Sequence, residues 1–594
     1  MRRMTEADHL GRDAVAPANT HDVNPHAARQ LANPLRPPSA PLLQRDFVWF
    51  LLLALLVLGA GLGLRHPWPA DEPRFALVAR TMVETGQYLF PQRGIEWYAD
   101  KPPLFMWLQV LAFRLTGNWN VAFLLPSLLA ALGTLTLTFD LARRLWGRRA
   151  ARVAGFMLLF TVQFTYQSKR AQIDPVLVFF VTLSAYALLR FYLLQPQRRW
   201  SASGWFFAGI GVITKGVGVI ALALIPLVWL ARRWSARNLP PLAQARWHGV
   251  AGPLWFVLAL GLWLLPMLWA VWQSGSAEHL AYARNILFGQ TALRFVDPEM
   301  HRQPWWYFLQ VIATGWLPLA LLLPSALRIL WRQARRRGPD ARSLLPLGWA
   351  ALVLVFFSLS PGKRDMYILP ALPMVCVGLA PTLLLLLRQP RVRWLLFGFL
   401  LLLALALTTL SALAIFAEPG FETRLEAARG LTPGSDAPWW MLLNLGLIGL
   451  LAALVAGPAR ALGGLYFSLA AIWIIGFGFW GLPLLDGVNS ARTIMRQAGE
   501  RIDPQAEIGL VGWREQNLLQ ADRPVTEFGF SRAPADQLRR GIAWLAVKPD
   551  QRWLFADASV LGDCVAEANR AKLGSANRRD WVLVRYAGVA AACR

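Results

Sequence analysis

Cysteine is nearly missing from this chain: three residues in 594, Cys376, Cys564 and Cys593, none close enough to another for a zinc knuckle or a Cys-x-x-Cys redox pair. No cofactor follows from them. Lysine is scarce as well, six of 60 basic residues, so positive charge is written almost wholly as arginine. Acids are few, 34 Asp and Glu, and the formal charge is +26. That excess does not point to nucleic acid, because the bases fall in short loops between apolar runs, where the positive-inside rule puts them. The 29 Trp suit interfacial belts and packing better than a base-stacking platform. No repeat period is present, and the basic N-terminal stretch is too long and too rich in Pro, Ala and Asn for a signal peptide.

What is present is apolar sequence. With 56% hydrophobic residues and a mean hydropathy of +0.39, the chain is expected to be a polytopic α-helical membrane protein. Apolar stretches at 47–64, 121–142, 151–167, 173–194, 204–214, 217–231, 250–273, 306–330, 344–358, 366–387, 394–416, 438–456 and 461–485 predict about thirteen spans. The stretch 103–117 opens on Pro102-Pro103 and is expected to lie in the interface or to form half of a broken span. With that reading, the arginine-rich loops at 143–152, 195–200, 232–237, 328–342 and 388–393 all fall on one side, which is then the cytoplasm. Residues 1–45 are expected to be a disordered cytoplasmic tail and 46–487 a transmembrane domain with outer loops 65–120 and 274–305. From 488 to 594 charged residues become common, and β-like runs at 507–512, 526–530, 552–555 and 581–586 alternate with helix-like stretches at 535–546 and 565–572. This predicts a small α/β domain on the outer face.

The same topology puts four of the six lysines, Lys101, Lys169, Lys215 and Lys363, at the outer face. A compact ammonium kept where guanidinium is the habit suits a phosphate held as a point charge. Acids stand beside them: Asp71 and Glu72 after the first span, Asp100 before Lys101, and Asp174 at the start of the fourth. Acids inside a bilayer cost on the order of 2.5–3.5 kcal/mol each, so acids gathered at its lip suggest a polar substrate. Helix capping is the competing reading, strongest for Asp174 before Pro175. In the loop 274–305, Asp297, Glu299 and His301 alternate ahead of Trp305-Trp306-Tyr307, as in a lid. A divalent metal there is left open, solvated loop residues being the better reading of so loose a spacing.

The segments 70–92 (ADEPRFALVARTMVETGQYLFPQ), 97–104 (WYADKPPL), 169–180 (KRAQIDPVLVFF), 214–216 (TKG) and 360–370 (SPGKRDMYILP) resemble the GT-C glycosyltransferases that use polyprenyl-phosphate sugars. The most similar branch is that of the undecaprenyl-phosphate aminoarabinose transferases, which modify lipid A; the superfamily also holds the dolichyl-phosphate-mannose-protein mannosyltransferases. The resemblance implies a GT-C fold with a C-terminal periplasmic α/β domain, Asp71 as the catalytic aspartate, and Asp174 as a second acid shaping the site. It also implies that Arg74, Tyr98 and Lys101 bind the lipid-linked phosphate, with Lys363, Arg364 and Tyr367 completing that site. Glu72, Asp100, Lys215 and His301 are accessory candidates. One departure is Asp100, one methylene shorter than the Glu that usually precedes Lys-Pro-Pro in the aminoarabinose branch.

The expected activity is inverting transfer of 4-amino-4-deoxy-L-arabinose or a similar sugar from undecaprenyl phosphate to lipid A or another periplasmic acceptor. Membrane lipids surround such an enzyme of the bacterial inner membrane, and its site opens to the periplasm. The alternatives are a protein O-mannosyltransferase-like paralogue and a transporter of lipid-linked sugar. A transporter predicts charge near the midplane, whereas here acids and lysines crowd one mouth. Cys564 and Cys593 share the outer domain, and their pairing is left open.

Overall fold

Backbone polar groups have no water to bond inside a bilayer, so apolar stretches of this length must coil, and each of the thirteen contains helix. The computed structural model describes residues 44–240, 248–293, 301–417, 420–429 and 435–594. The expected tail, apart from its last two residues, lies outside them. Among the described residues, eight helices are long and apolar enough to cross a membrane by themselves, and a bent pair makes nine. The chain is an integral membrane protein.

Three stretches differ in detail from the expected spans. The first is helical over Arg45–Gly59 and leaves the helix before 64, because Gly61 adopts φ +82°. A Cβ there would lie 2.6 Å from the carbonyl oxygen of Gly478, so only glycine lets these two segments meet. The stretch 306–330 is not straight: Tyr307–Gly315 and Leu319–Arg337 meet at 111°. Pro318 supplies no N–H to carry a helix through, and a neighbouring helix uses the break, the Val162 amide donating to the Leu317 carbonyl at 3.0 Å. The stretch 103–117 forms Leu104–Thr116, a helix of 13 residues stopped by Gly117 in the left-handed conformation. That is short of the ~20 residues a crossing needs. Its Phe105 meets Phe75 edge-on at 5.2 Å, which docks it on the Glu72–Thr85 helix.

At the C-terminal end a five-stranded sheet runs in the order β4-β3-β5-β7-β6, with β3 Glu507–Val511, β4 Val525–Glu527, β5 Arg552–Asp557, β6 Ala571–Ala576 and β7 Arg579–Val584. A two-stranded hairpin, β1 Gln92–Arg93 and β2 Glu96–Trp97, precedes it in the chain. Strands β4, β3 and β5 are parallel, β7 pairs antiparallel with β5, and β6 forms a hairpin with β7. The helix expected at 535–546 is Pro534–Val547. Of the helix expected at 565–572 only a 3-10 turn, Glu567–Asn569, forms. Its residues have helical propensity, but Val565 bridges to Val589, and Ala571 and Lys572 pair with Leu583 and Val582 on β7. Pairing across the sheet outweighs a propensity worth tenths of a kcal/mol per residue. Cys564 and Cys593 are disulfide-bonded with Cα atoms 5.5 Å apart, holding that edge closed; Cys376 is a buried free thiol.

The sheet and the helical bundle share a hydrophobic core. Ala76, Leu77, Phe123, Leu124 and Ala171 pack with Ile494, Met495, Ile508, Leu510, Trp513 and Phe555. Polar ties run across the same boundary: Arg80 donates to the Leu519 carbonyl at 2.9 Å, Gln520 to the Pro67 carbonyl at 3.1 Å, and the Ile95 amide to Glu527 at 2.7 Å. The last membrane helix adds Asp486, which accepts from the His66 amide and the Trp68 indole, both at 2.9 Å. The loop that follows the first helix is thus clamped from both sides, and Asp71 lies in it.

Candidate active site

Two adjacent acids at the start of the Glu72–Thr85 helix part company in the fold. Glu72 is fully buried, bonded to Arg65 at 2.8 Å and accepting from the amides of Trp68 at 2.8 Å and Ala171 at 3.0 Å. Burial pushes its carboxyl up, but Arg65, with Arg170, more than offsets this and holds it below its ordinary value. Every lone pair faces a structural partner, so Glu72, an accessory candidate by sequence, is a latch between loops. Asp71 occupies the N-cap position, yet its side chain makes no capping bond. It accepts instead from Arg364 at 2.7 Å and from Gln172 at 3.4 Å, with Arg74 at 4.0 Å. Burial raises its pKa as well, and Arg364, then Arg74 and Arg170, bring it below the usual carboxylate value. Asp71 is therefore an ionised, partly exposed carboxylate among guanidiniums.

Asp174 sits inside the first turn of Ile173–Leu193, whose N-cap is Gln172, so capping does not explain it. It is buried and accepts from the Lys215 ammonium at 2.7 Å. Lys215 ends the Arg198–Thr214 helix and lies 4.9 Å from the centre of the Tyr367 ring. Arg364 feels the charges of both Asp71 and Asp174, which joins Asp71, Arg364, Asp174, Lys215 and Tyr367 into one group drawn from four separated segments.

Arg74 leans the other way, its Nε donating to Glu515 at 2.9 Å. Glu515 is buried, and it also lies 3.6 Å from Arg93. Tyr98 is buried beside them under the Arg93 guanidinium, 5.7 Å from its ring centre. Burial, with Asp100 nearby, pushes the Tyr98 hydroxyl up, so at neutral pH it is an O–H donor. Asp100 and Lys101 are half-buried in the same loop.

Two of the outer lysines do not face this group. Lys363 is 4% exposed, and its ammonium donates to the carbonyls of Ser360 at 2.6 Å and Gln303 at 3.0 Å. Its amide donates to the His301 carbonyl, so Lys363 fastens the loop after 300 to the turn at 360. His301 itself is exposed, with φ +68°. Lys169 is buried and donates to the carbonyls of Val57 at 2.8 Å, Leu58 at 3.3 Å and Ala60 at 2.8 Å. Three donors on one tetrahedral nitrogen fit three converging carbonyls at a helix end, which a planar guanidinium cannot match. At these positions the ammonium serves backbone carbonyls, and the reading of all four outer lysines as phosphate grips is corrected to that extent.

Among the described residues no group of three or more His, Cys, Asp or Glu side chains could hold a metal. Asp297 and Glu299 lie outside the described residues. Arg93, Arg170, Gln172 and Glu515 were not anticipated. Arg170 and Gln172 stand within the segment KRAQID, where a signal existed, and Arg93 directly follows the segment 70–92. Glu515, 441 residues from Arg74, gave none.

Comparison with known proteins agrees with the motifs. Residues 100–247 match the family model of dolichyl-phosphate-mannose-protein mannosyltransferase. The undecaprenyl phosphate-alpha-4-amino-4-deoxy-L-arabinose arabinosyl transferase of Edwardsiella ictaluri is 32% identical over 56% of this chain and 58% of its own. That of Pseudomonas fluorescens is 32% identical over 63% and 65%. The match thus spans less than two thirds of these relatives. The crystal structure of ArnT from Cupriavidus metallidurans bound to undecaprenyl phosphate superposes with a TM-score of 0.68 at 20% identity, covering 90% of this chain and 97% of that one. The chain has the same fold as that protein, a GT-C-type membrane bundle carrying a C-terminal sheet, and its sequence resembles the aminoarabinose transferases.

Proposed function

We propose that the chain is an inverting glycosyltransferase that moves 4-amino-4-deoxy-L-arabinose, or a sugar like it, from undecaprenyl phosphate to lipid A or another periplasmic acceptor. It works in the bacterial inner membrane with its site on the periplasmic side. The observation that carries the reading is Asp71: an ionised carboxylate, bonded to Arg364 at 2.7 Å and flanked by Arg74, in a loop whose neighbours supply further cations. The relatives' names give the donor and the sugar, and arginines concentrated in the opposite loops support the orientation.

The leaving group is a lipid phosphate. As the glycosidic C–O bond breaks, negative charge grows on that phosphate, and Arg364, Arg74 and Lys101 are the cations suited to stabilise it. Tyr98 is suited to donate its hydroxyl. A carboxylate held below its ordinary pKa is a weak general base, because base catalysis works best with a pKa near the operating pH. Asp71 is better suited to orient the acceptor and to stabilise positive charge at the sugar's anomeric carbon. An acceptor phosphate, already anionic, needs no base, so this electrostatic character favours a phosphate over a hydroxyl nucleophile. Asp174 and Lys215 neutralise each other and fix Tyr367 beneath the site.

Purified protein in detergent, given a synthetic undecaprenyl-phosphate aminoarabinose donor and lipid A, is expected to yield glycosylated lipid A and undecaprenyl phosphate. A transporter has no two compartments to work between in detergent and forms no product. Absence of transfer from the intact donor, in a preparation that binds undecaprenyl phosphate, would overturn the reading.

A further inference from the structure

Beyond the cations around Asp71, a second set gathers at the edge of the C-terminal sheet. In open α/β sheets ligands sit outside the carboxyl ends of parallel strands, where connections leave to opposite sides. Here β3 lies between parallel β4 and β5, with its own connection leading to β4 and that of β4 crossing over to β5. The ends of β3 and β5 place Arg514, Glu515 and Asp557 on the lip of that crevice. The hairpin of β1 and β2 and the Glu72–Thr85 helix supply Arg93 and Arg74 from across it.

Not every donor there has a partner. Glu515 is a single carboxylate bonded by Arg74 at 2.9 Å and approached by Arg93 at 3.6 Å. Arg514, exposed at the end of β3, lies in the field of the same carboxylate and of Arg74, Arg579 and Asp557. Asp557 is already bonded to Arg579 and to Ser559. Two donors are buried without a partner, Arg93 Nε and Trp513 Nε1. The Arg93 guanidinium stacks 3.8 Å from the Phe530 ring centre, which fixes its plane while leaving its edge to donate. Arg74 is shared with Asp71 and Arg514 with Asp557, so the open donors are those of Arg93, whose Nε has no partner, and of Arg514, which is exposed at the mouth of the crevice; planar forked donors match the oxygens of a phosphate.

We propose that Arg93 and Arg514 form an acceptor subsite that binds a phosphate group of the acceptor lipid, separate from the cations that serve the donor phosphate. The proposal rests on the reading of the chain as a glycosyltransferase and divides its two phosphate-bearing substrates between two groups of arginines. Arg74, shared by Asp71 and Glu515, lies between them.

The test uses the full-length protein in detergent, an undecaprenyl-phosphate sugar donor, and two acceptors, a lipid A carrying its phosphates and the same lipid dephosphorylated. Arg93→Gln and Arg514→Gln are each expected to raise the KM for phosphorylated acceptor about tenfold or more, the scale of one charge-assisted hydrogen bond. The KM for donor should stay within about twofold, and Arg93→Lys should recover part of the loss. Direct binding of the phosphorylated lipid without donor should weaken in the same order, whereas binding of undecaprenyl phosphate should not change. An unchanged acceptor KM in both variants, equal binding of the dephosphorylated lipid by wild type, or parallel loss of both substrates with a lowered Tm would overturn the proposal. If wild type transfers no sugar, the glycosyltransferase reading fails, while the donor-free binding comparison still decides whether Arg93 and Arg514 hold a phosphate.

Discussion

Replacing Asp71 by Asn removes a charge while keeping the volume, and it separates chemistry from folding. The side chain is 13% exposed and its partner Arg364 31%, so solvent screens the pair and the loss of stability should be about 1 kcal/mol. Transfer should suffer far more. A preorganised charge facing the reacting centre is worth roughly 2.7–4 kcal/mol, so the rate should fall about 100- to 1,000-fold. The neutral amide removes the carboxylate bonded to Arg364, and no nearby acid can replace it, because Glu72 is locked to Arg65 and Glu515 to Arg74. The assay is single-turnover transfer at saturating donor, with the thermal unfolding midpoint measured on the same preparation. An Asp71→Asn protein retaining more than about a tenth of the wild-type rate would limit the contribution to about 1.4 kcal/mol and refute Asp71 as the catalytic residue.

Glu72→Gln should do the reverse, destabilising the protein by about 3–5 kcal/mol by leaving Arg65 buried without its counter-charge. A normal unfolding midpoint in that variant would contradict the latch. The two depressed carboxyls make stability acid-sensitive in a defined direction. Their contribution is full above the ordinary values of 3.8 for Asp71 and 4.5 for Glu72 and is lost as pH falls through their lower folded values, so the midpoint should decline below about pH 4.5. A midpoint independent of pH down to acid precipitation would speak against it. Asp174→Asn should fold and lose activity by about tenfold or more, since it frees Lys215 rather than uncapping a helix; full activity would remove Asp174 from the site. Mass spectrometry of alkylated, non-reduced protein should find a linked Cys564–Cys593 peptide pair and Cys376 as the free thiol, and finding 564 and 593 alkylated would contradict the bond.

The spans were legible because hydrocarbon length and backbone hydrogen bonding leave an apolar run few other choices. The departures have local causes with weak sequence signals: Gly61 meeting Gly478, and Pro318 breaking a run that hydropathy reads as continuous. Residues 565–572 read as helix because Ala, Glu and Lys favour it, while the partner that makes 571–576 a strand lies across the Asn577-Arg578 turn. At the site, Asp71, Arg74, Asp174 and Arg364 come together as expected of neighbours on outer loops. Residue chemistry alone did not rank the adjacent acids, and only the family resemblance put Asp71 ahead of Glu72; the structure separates them by which side of a helix start each leaves. Lysine scarcity marked positions where an ammonium is needed, without telling whether phosphate or carbonyl oxygens need it, as Lys169 and Lys363 show.

The bond between Arg74 and Glu515 also sets an order of events during biosynthesis. The two residues are 441 positions apart, so at ~5–20 residues per second a ribosome needs roughly 20–90 s to deliver the second after the first. Through that interval Arg74 has only Asp71 for a counter-ion and residues 66–68 lack their ties, since Asp486 is made shortly before Glu515 and Gln520 shortly after it. A nascent chain halted before those residues would carry Asp71 and still lack the far side of the Arg74 bridge and the ties to residues 66–68, so the surroundings of Asp71 are completed only near the end of synthesis.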